Sequence, residues 1–383
     1  MERFALSRMK EWKENENRKP LIIRGARQVG KTWIMKTFGQ QYFEKTAYVN
    51  FDNNARMKQV FEGDLDIERL VLSISAETGV SIEAENTLII FDEVQEVPKA
   101  LTSLKYFYEN APQYAIVAAG SLLGVALHQG TSFPVGKVDF LDLYPLNFRE
   151  FLCAMGEKQF VSMLDSCDTQ MVTVFKTKYI ERLREYYFVG GMPEVVKDFS
   201  EKKDYNRVRA IQKNLINYYQ QDFSKHAEIK LVPRLNLVWN SIPMQLAKEN
   251  KKYIYGQVRE GSRAKDFELA IQWLLDCGLI HKVQRIQKPD LPLKAYIDFD
   301  AFKLFLVDIG LLIAMTDLDA KVIIEGNKIF TEFKGALTEQ YILQQLISDV
   351  GVIPYYYSTQ NSKGEIDFLV QGKTSVIPIE VKA

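Results

Sequence analysis

Eight residues near the N-terminus, Gly25, Ala26, Arg27, Gln28, Val29, Gly30, Lys31 and Thr32, carry the spacing Gly-x-x-x-x-Gly-Lys-Ser/Thr. Glycines at both ends let the backbone wrap closely, so that successive N–H groups and a helix N-terminus can point at phosphate oxygens. In such a loop Lys31 reaches the β- and γ-phosphates of a nucleoside triphosphate, and the Thr32 hydroxyl ligates Mg²⁺. The apolar run LIIR precedes the loop and a helical pattern follows it, which is the context this chemistry needs. A glycine-rich turn with a surface lysine is the plainer alternative.

A second acidic motif complements the first. In LIIFDE four apolar residues bury a strand whose C-terminal end presents Asp92 and Glu93, and ligands of open α/β sheets bind beyond strand C-termini. Asp92 is expected to hold Mg²⁺ and Glu93 to polarise an attacking water. The next apolar run, YAIVAAGS, ends at Ser121. That serine is read either as a polar sensor of the γ-phosphate or as the N-cap of a following helix.

The elements that must position these groups follow from periodicity. Strand patterns PLIIRG, TAYVNFDN, TLIIFDEV, YAIVAAGS and VGKVDFLDLYPL alternate with helical ones over residues 31–38, 67–77 and 98–109. Strands buried on both faces and separated by helices imply an α/β fold with a parallel, doubly wound sheet. From about residue 148 long helical patterns take over, including KTKYIERLREYYFVGGMPEVV, broken at Gly190 and Gly191, and VRAIQKNLINYYQQDF. The stretch RAKDFELAIQWLLDCGLIHKVQRI reads as helix, glycine stop at Gly278, then strand, as at the start of a wing in winged-helix domains. Arg259, Arg263 and Lys265 precede or open that helix and suit phosphate contact, but Glu260, Asp266 and Glu268 interleave with them. After residue 320 come one helix and three strands, YYYS, GEIDFLV and VIPIEVK. The expected organisation is therefore 1–147 P-loop core, 148–320 helical and winged-helix-like segment, and 321–383 small α/β domain.

Bulk properties narrow the class. Lys and Arg total 49 and Asp and Glu total 49, so the net charge is zero and the global basic field of a dedicated nucleic-acid binder is missing. Three cysteines without a Cys-x-x-Cys pair, and three scattered histidines, argue against a disulfide framework or a zinc site. No apolar leader follows Met1 and no apolar run is long enough to span a bilayer, which points to a cytoplasmic protein with no membrane partner.

An added strand between the two phosphate-site motifs, and a glutamate beside the Asp92 position, resemble the additional-strand, catalytic-glutamate class that includes AAA+ ATPases. GARQVGKT, LIIFDEVQ, AAGS, LYPLNFREFL, GGMPEVV, KGALTEQ, GEIDFLV and PIEVK together resemble a large prokaryotic family of AAA-type ATPases. Its members carry a C-terminal domain of unknown function similar to PD-(D/E)xK nucleases. The resemblance implies ATP and Mg²⁺ at residues 25–32 and 92–93. It leaves room for DNA, a protein partner or a homo-oligomer.

It also implies a second site. Asp367 and Glu380 would hold a metal, Lys382 would position water, and Glu339 on the preceding helix would add a carboxylate. Glu380 and Lys382, two apart on a strand, would share one face, although alternating charges also mark any solvent-facing strand. Two departures stand out. Lys137 occupies a place where the family often has arginine, with Arg149 as a nearby substitute. The chain also ends at Ala383, where the nuclease-like fold normally adds a helix and a strand, so that domain is expected to be incomplete or completed by a partner.

Overall fold

The computed structural model describes residues 1–120, 133–248, 251–325, 331–359 and 364–382. It divides into two compact units, Arg3–Tyr144, and Pro145–Ala383 together with Met1–Glu2.

In the first unit helix α1 (Ala5–Glu14) leads into β1 (Leu21–Arg24), α2 (Lys31–Tyr42), β2 (Lys45–Asn50), α3 (Ala55–Glu62) and α4 (Ile67–Thr78). Strand β3 (Thr87–Asp92), α5 (Pro98–Asn110), β4 (Ala115–Ala119) and β5 (Asp139–Asp142) follow. The five strands are all parallel, in the order β2-β3-β4-β1-β5. All of β3 and β4 is buried, which is why both read as unbroken apolar runs rather than alternating ones. Phe51, Phe61 and Phe91 meet edge to face, with ring centres 5.4–5.7 Å apart, and fill the side of the sheet under α3. This is the expected P-loop α/β sheet. The strand following β1 in sequence, β2, goes to the edge; β4 is the strand inserted between β1 and β3. The open C-terminal ends of β1 and β3 therefore flank that of β4. Ser121, expected just beyond β4, lies outside the described residues.

The second unit begins with α6 (Phe148–Ala154), α7 (Lys158–Asp165), α8 (Thr169–Val174), α9 (Lys176–Val189), α10 (Pro193–Lys202), α11 (Tyr205–His226) and α12 (Val232–Leu246). After α13 (Tyr255–Val258) and α14 (Ala264–Asp276) the chain stops at Gly278, turns into β6 (Ile280–Ile286), and returns antiparallel as β7 (Ile297–Leu306). Then come α15 (Ile309–Met315), α16 (Ala320–Ile324), α17 (Thr331–Gln345), β8 (Tyr355–Ser358), β9 (Glu365–Gln371) and β10 (Val376–Ile379). These strands form one mixed sheet, β10-β9-β8-β6-β7, in which β8 pairs parallel with β6. Strands from both segments expected as 148–320 and 321–383 thus share a single sheet.

A buried hydrogen-bond knot explains several of the motifs outside the P-loop unit. The Asp308 carboxylate, fully buried, accepts from Gly191 N (2.6 Å), Leu311 N (3.1 Å) and Gln344 Nε2 (3.3 Å). Gln344 also donates to Tyr186 Oη (2.9 Å), whose own hydroxyl donates to the Leu146 carbonyl (2.6 Å). A Cβ on Gly190 would stand 2.2 Å from Asp308 Oδ1, so only glycine admits the carboxylate. LYPLNFREFL, GGMPEVV and the helix that carries KGALTEQ therefore converge around one residue that had drawn no notice in the sequence.

Candidate active site

The loop between β1 and α2 owes its shape to backbone that few side chains tolerate. Gly25 sits at φ 145°, Gln28 at 65° and Gly30 at 95°. A Cβ on Gly25 would lie 2.1 Å from the Leu143 carbonyl oxygen, so glycine is required by a close approach as well as by φ. Arg24 is clamped to Asp142 by two hydrogen bonds of 2.8 and 2.9 Å, and Leu143 N donates to the Arg24 carbonyl (2.8 Å), fixing the base of the loop on β5. Gly30 supplies no side-chain cap to α2, which leaves the first-turn N–H groups for an anion. The Lys31 side chain is buried and its ammonium donates to the carbonyls of Gly25 and Ala26, both at 2.8 Å.

Arg3, which spacing could not single out, braces the same loop. It is 5% exposed and donates to the Val29 carbonyl (3.0 Å) and to the Tyr144 carbonyl (2.6 Å). A guanidinium fork satisfies two carbonyls at once and ties the middle of the loop to the segment after β5.

The acidic half meets the loop directly. Thr32 Oγ1 donates to Asp92 Oδ2 at 2.7 Å. Asp92 Oδ1 accepts from Glu93 N at 3.1 Å. Tyr48 on β2 donates its hydroxyl to Asp92 Oδ2 at 2.9 Å, and the Lys36 ammonium lies 3.8 Å from the Tyr48 ring centre. Burial, then the Asp92 charge and hydrogen bond, then Glu93, hold the Tyr48 phenol well above its ordinary range, so it is a donor at any working pH. Glu93 stands just past the strand at φ 51°, and Gln95 Nε2 donates to its Oε2 at 2.7 Å. The set fits Mg²⁺, since a hydroxyl and a carboxylate, both hard oxygen ligands, already converge at the mouth of a phosphate loop.

The remaining expected residues are distributed otherwise. Lys137 precedes β5, at the N-terminal end of the parallel sheet, opposite the end where the loop opens. There it pairs with Glu109 (3.0 Å) and lies 5.5 Å from the Tyr108 ring centre. Arg149 belongs to the second unit, where it bonds Asp349 (3.0 Å) and Asp165. Arg259, Arg263 and Lys265 are not buried.

Of the second set, Glu339 is 3% exposed and paired with Lys251 and Lys303, while Glu380 and Lys382 are exposed. Strand β10 ends at Ile379, so Glu380 and Lys382 lie beyond its paired ladder. There Val381 N donates to Asp367 Oδ2 (2.8 Å). Among the described residues no three His, Cys, Asp or Glu side chains are grouped to hold a metal.

With the parallel sheet in the order β2-β3-β4-β1-β5, and with loop and acidic strand end together, the first unit has the P-loop NTPase fold. Residues 17–152 match the family model described as an AAA domain, so this part of the chain falls in the AAA-type P-loop class. Residues 180–322 and 334–383 match two domains of unknown function, DUF8612 and DUF4143. No curated protein matches the chain.

Among solved structures, a Walker-type ATPase of Pyrococcus abyssi is similar, with 15% identity and TM-score 0.51, over 82% of this chain and 95% of that one. That likeness is one of fold. The Aeropyrum pernix Orc1 protein in complex with DNA (13% identity, 82% of this chain, 91% of that one) reaches a TM-score of only 0.29. Cdc6p from Pyrobaculum aerophilum has 10% identity over 84% of this chain and 93% of that one, also with TM-score 0.29. Neither of these two is close enough in fold to inform function. Among the described residues no helix is long and apolar enough to cross a membrane.

Proposed function

We propose that the unit Arg3–Tyr144 binds ATP with Mg²⁺ and hydrolyses it to ADP and phosphate. The observation that carries this reading is the 2.7 Å contact between Thr32 and Asp92 at the mouth of a loop whose lysine is already turned onto it. Loop N–H groups and the α2 N-terminus bind the phosphates, and Lys31 exchanges its two carbonyl partners for phosphate oxygens. Thr32 and Asp92 would hold Mg²⁺, which would supply neutralisation of phosphate charge. Glu93 accepts a proton from the attacking water.

Binding of ATP measured calorimetrically with and without Mg²⁺ tests the assignment. The wild type should bind more tightly with Mg²⁺, and Thr32→Ala should lose that gain; an unchanged gain would remove the metal role of Thr32.

A slower, switch-like use of ATP is favoured by two contacts. Glu93 is engaged by Gln95, and Lys137 stands at the far end of the sheet from its own nucleotide loop. A basic group that stabilises the γ-phosphate in the transition state would then come from a second copy of the chain or from a partner. A lone chain should turn over more slowly than about 1 s⁻¹, a common enzymatic rate, and turnover per chain should rise with protein concentration. The unit beginning at Pro145 would be the part that engages DNA or protein.

A further inference from the structure

Strand β7 contains a lysine where its neighbours are apolar. Ala301, Phe302, Leu304, Phe305 and Leu306 are buried, and so is Lys303, at 1% side-chain exposure. A buried ammonium is costly unless carboxylates surround it, and here they do. Lys303 Nζ is 2.5 Å from Glu365 Oε1 and 3.4 Å from Glu339 Oε2, and lies 4.8 Å from the Tyr356 ring centre. Lys251 takes the other oxygen of Glu339.

We propose that Lys303 is a built-in cation: its ammonium stands between Glu339 of α17 and Glu365 of β9, with Asp367 two residues further along that strand, and the cluster takes no divalent metal. Mg²⁺ would need carboxylate charge that no ammonium already offsets. Both Glu339 oxygens are instead paired with ammonium groups, and Glu365 Oε1 holds Lys303. The nuclease-like resemblance would place a metal among Glu339, Asp367 and Glu380. These residues do not fit one, and phosphodiester cleavage by that route has no metal to use. The charged cluster instead joins α17, β7 and β9 as a structural lock.

Binding of Mn²⁺ at about 1 mM, the weak end of carboxylate-built divalent sites, tests the proposal by paramagnetic resonance on nucleotide-free, full-length protein. An Asp92→Asn background keeps the P-loop site out of the count. With Lys303 intact, no Mn²⁺ should bind; Lys303→Gln should gain one bound ion, and adding Glu339→Gln should remove it. Lys303→Arg, which keeps the charge, should bind none. Mn²⁺ bound with Lys303 intact and lost on Asp367→Asn would overturn the proposal, as would a folded Lys303→Gln protein that binds none. If Lys303→Gln does not fold, the Lys303-intact and Asp367→Asn pair decides alone. This result is independent of whether the P-loop hydrolyses ATP.

Discussion

Tyr48→Phe removes one oxygen from the candidate active site and leaves the ring in place under Lys36. The lost hydroxyl donates at 2.9 Å to Asp92 Oδ2, the same oxygen that Thr32 holds at 2.7 Å. Hydrogen bonds to charged groups contribute roughly 1.5–3 kcal/mol, and partners that orient a metal-binding carboxylate typically tune affinity about 10–100-fold. Thr32 still holds the oxygen, so the lower end applies: the Mg²⁺ concentration for half-maximal hydrolysis should rise about 10-fold. Affinity for ATP without metal should move less than about 2-fold, since nothing removed touches the phosphates. The assay is phosphate release against Mg²⁺ at saturating ATP, beside metal-free ATP titration. A half-saturating Mg²⁺ within about 2-fold of wild type would refute the positioning role. A metal-free ATP affinity that falls as much as the metal response would show a general loss of structure instead.

Gly25→Ala puts a Cβ 2.1 Å from the Leu143 carbonyl and should abolish nucleotide binding or folding, as read by ATP titration and circular dichroism. Arg3→Ala leaves the Val29 and Tyr144 carbonyls without their guanidinium donor and should cost about 2 kcal/mol in urea unfolding; a loss under about 0.5 kcal/mol would show that the brace is dispensable. Asp308 is pushed by burial from 3.8 to about 6. A carboxyl raised in the folded state favours the protonated form there, so its contribution is fully present below pH 3.8 and lost as pH rises through about 6. The unfolding stability of wild type minus that of Asp308→Asn should therefore fall between about pH 4 and 7, and a flat difference would count against the shift.

What the sequence revealed depended on how local the cause was. The meeting of residues 25–32 with 92–93 was legible because phosphate wrapping demands glycine at set spacing and because the apolar run of β3 closes on Asp92, its last residue. The sheet order was legible as a class, but the place of β4 between β1 and β3 is a long-range choice. Arg3 and Tyr48 follow no spacing rule; their partners lie 26 to 141 residues away in one case and 44 in the other. Lys303 sat in an apparently apolar run, and only the approach of α17 and β9 shows why a charge belongs there. Asp308 is likewise explained by Gly191 and Gln344, which reach it from 117 and 36 residues away. The register that brings β8 against β6 pairs Arg285 with Tyr356 and Ile286 with Tyr357, a separation beyond any periodic signal.

The central claim, ATP hydrolysis with Glu93 as the group that takes the proton from water, is tested most directly by Glu93→Gln. The variant should bind ATP and Mg²⁺ with wild-type affinity while phosphate release falls about 10²–10⁴-fold, the span of general-base catalysis. Hydrolysis by Glu93→Gln at the wild-type rate, or no phosphate released by the wild type at any protein concentration, would contradict the account.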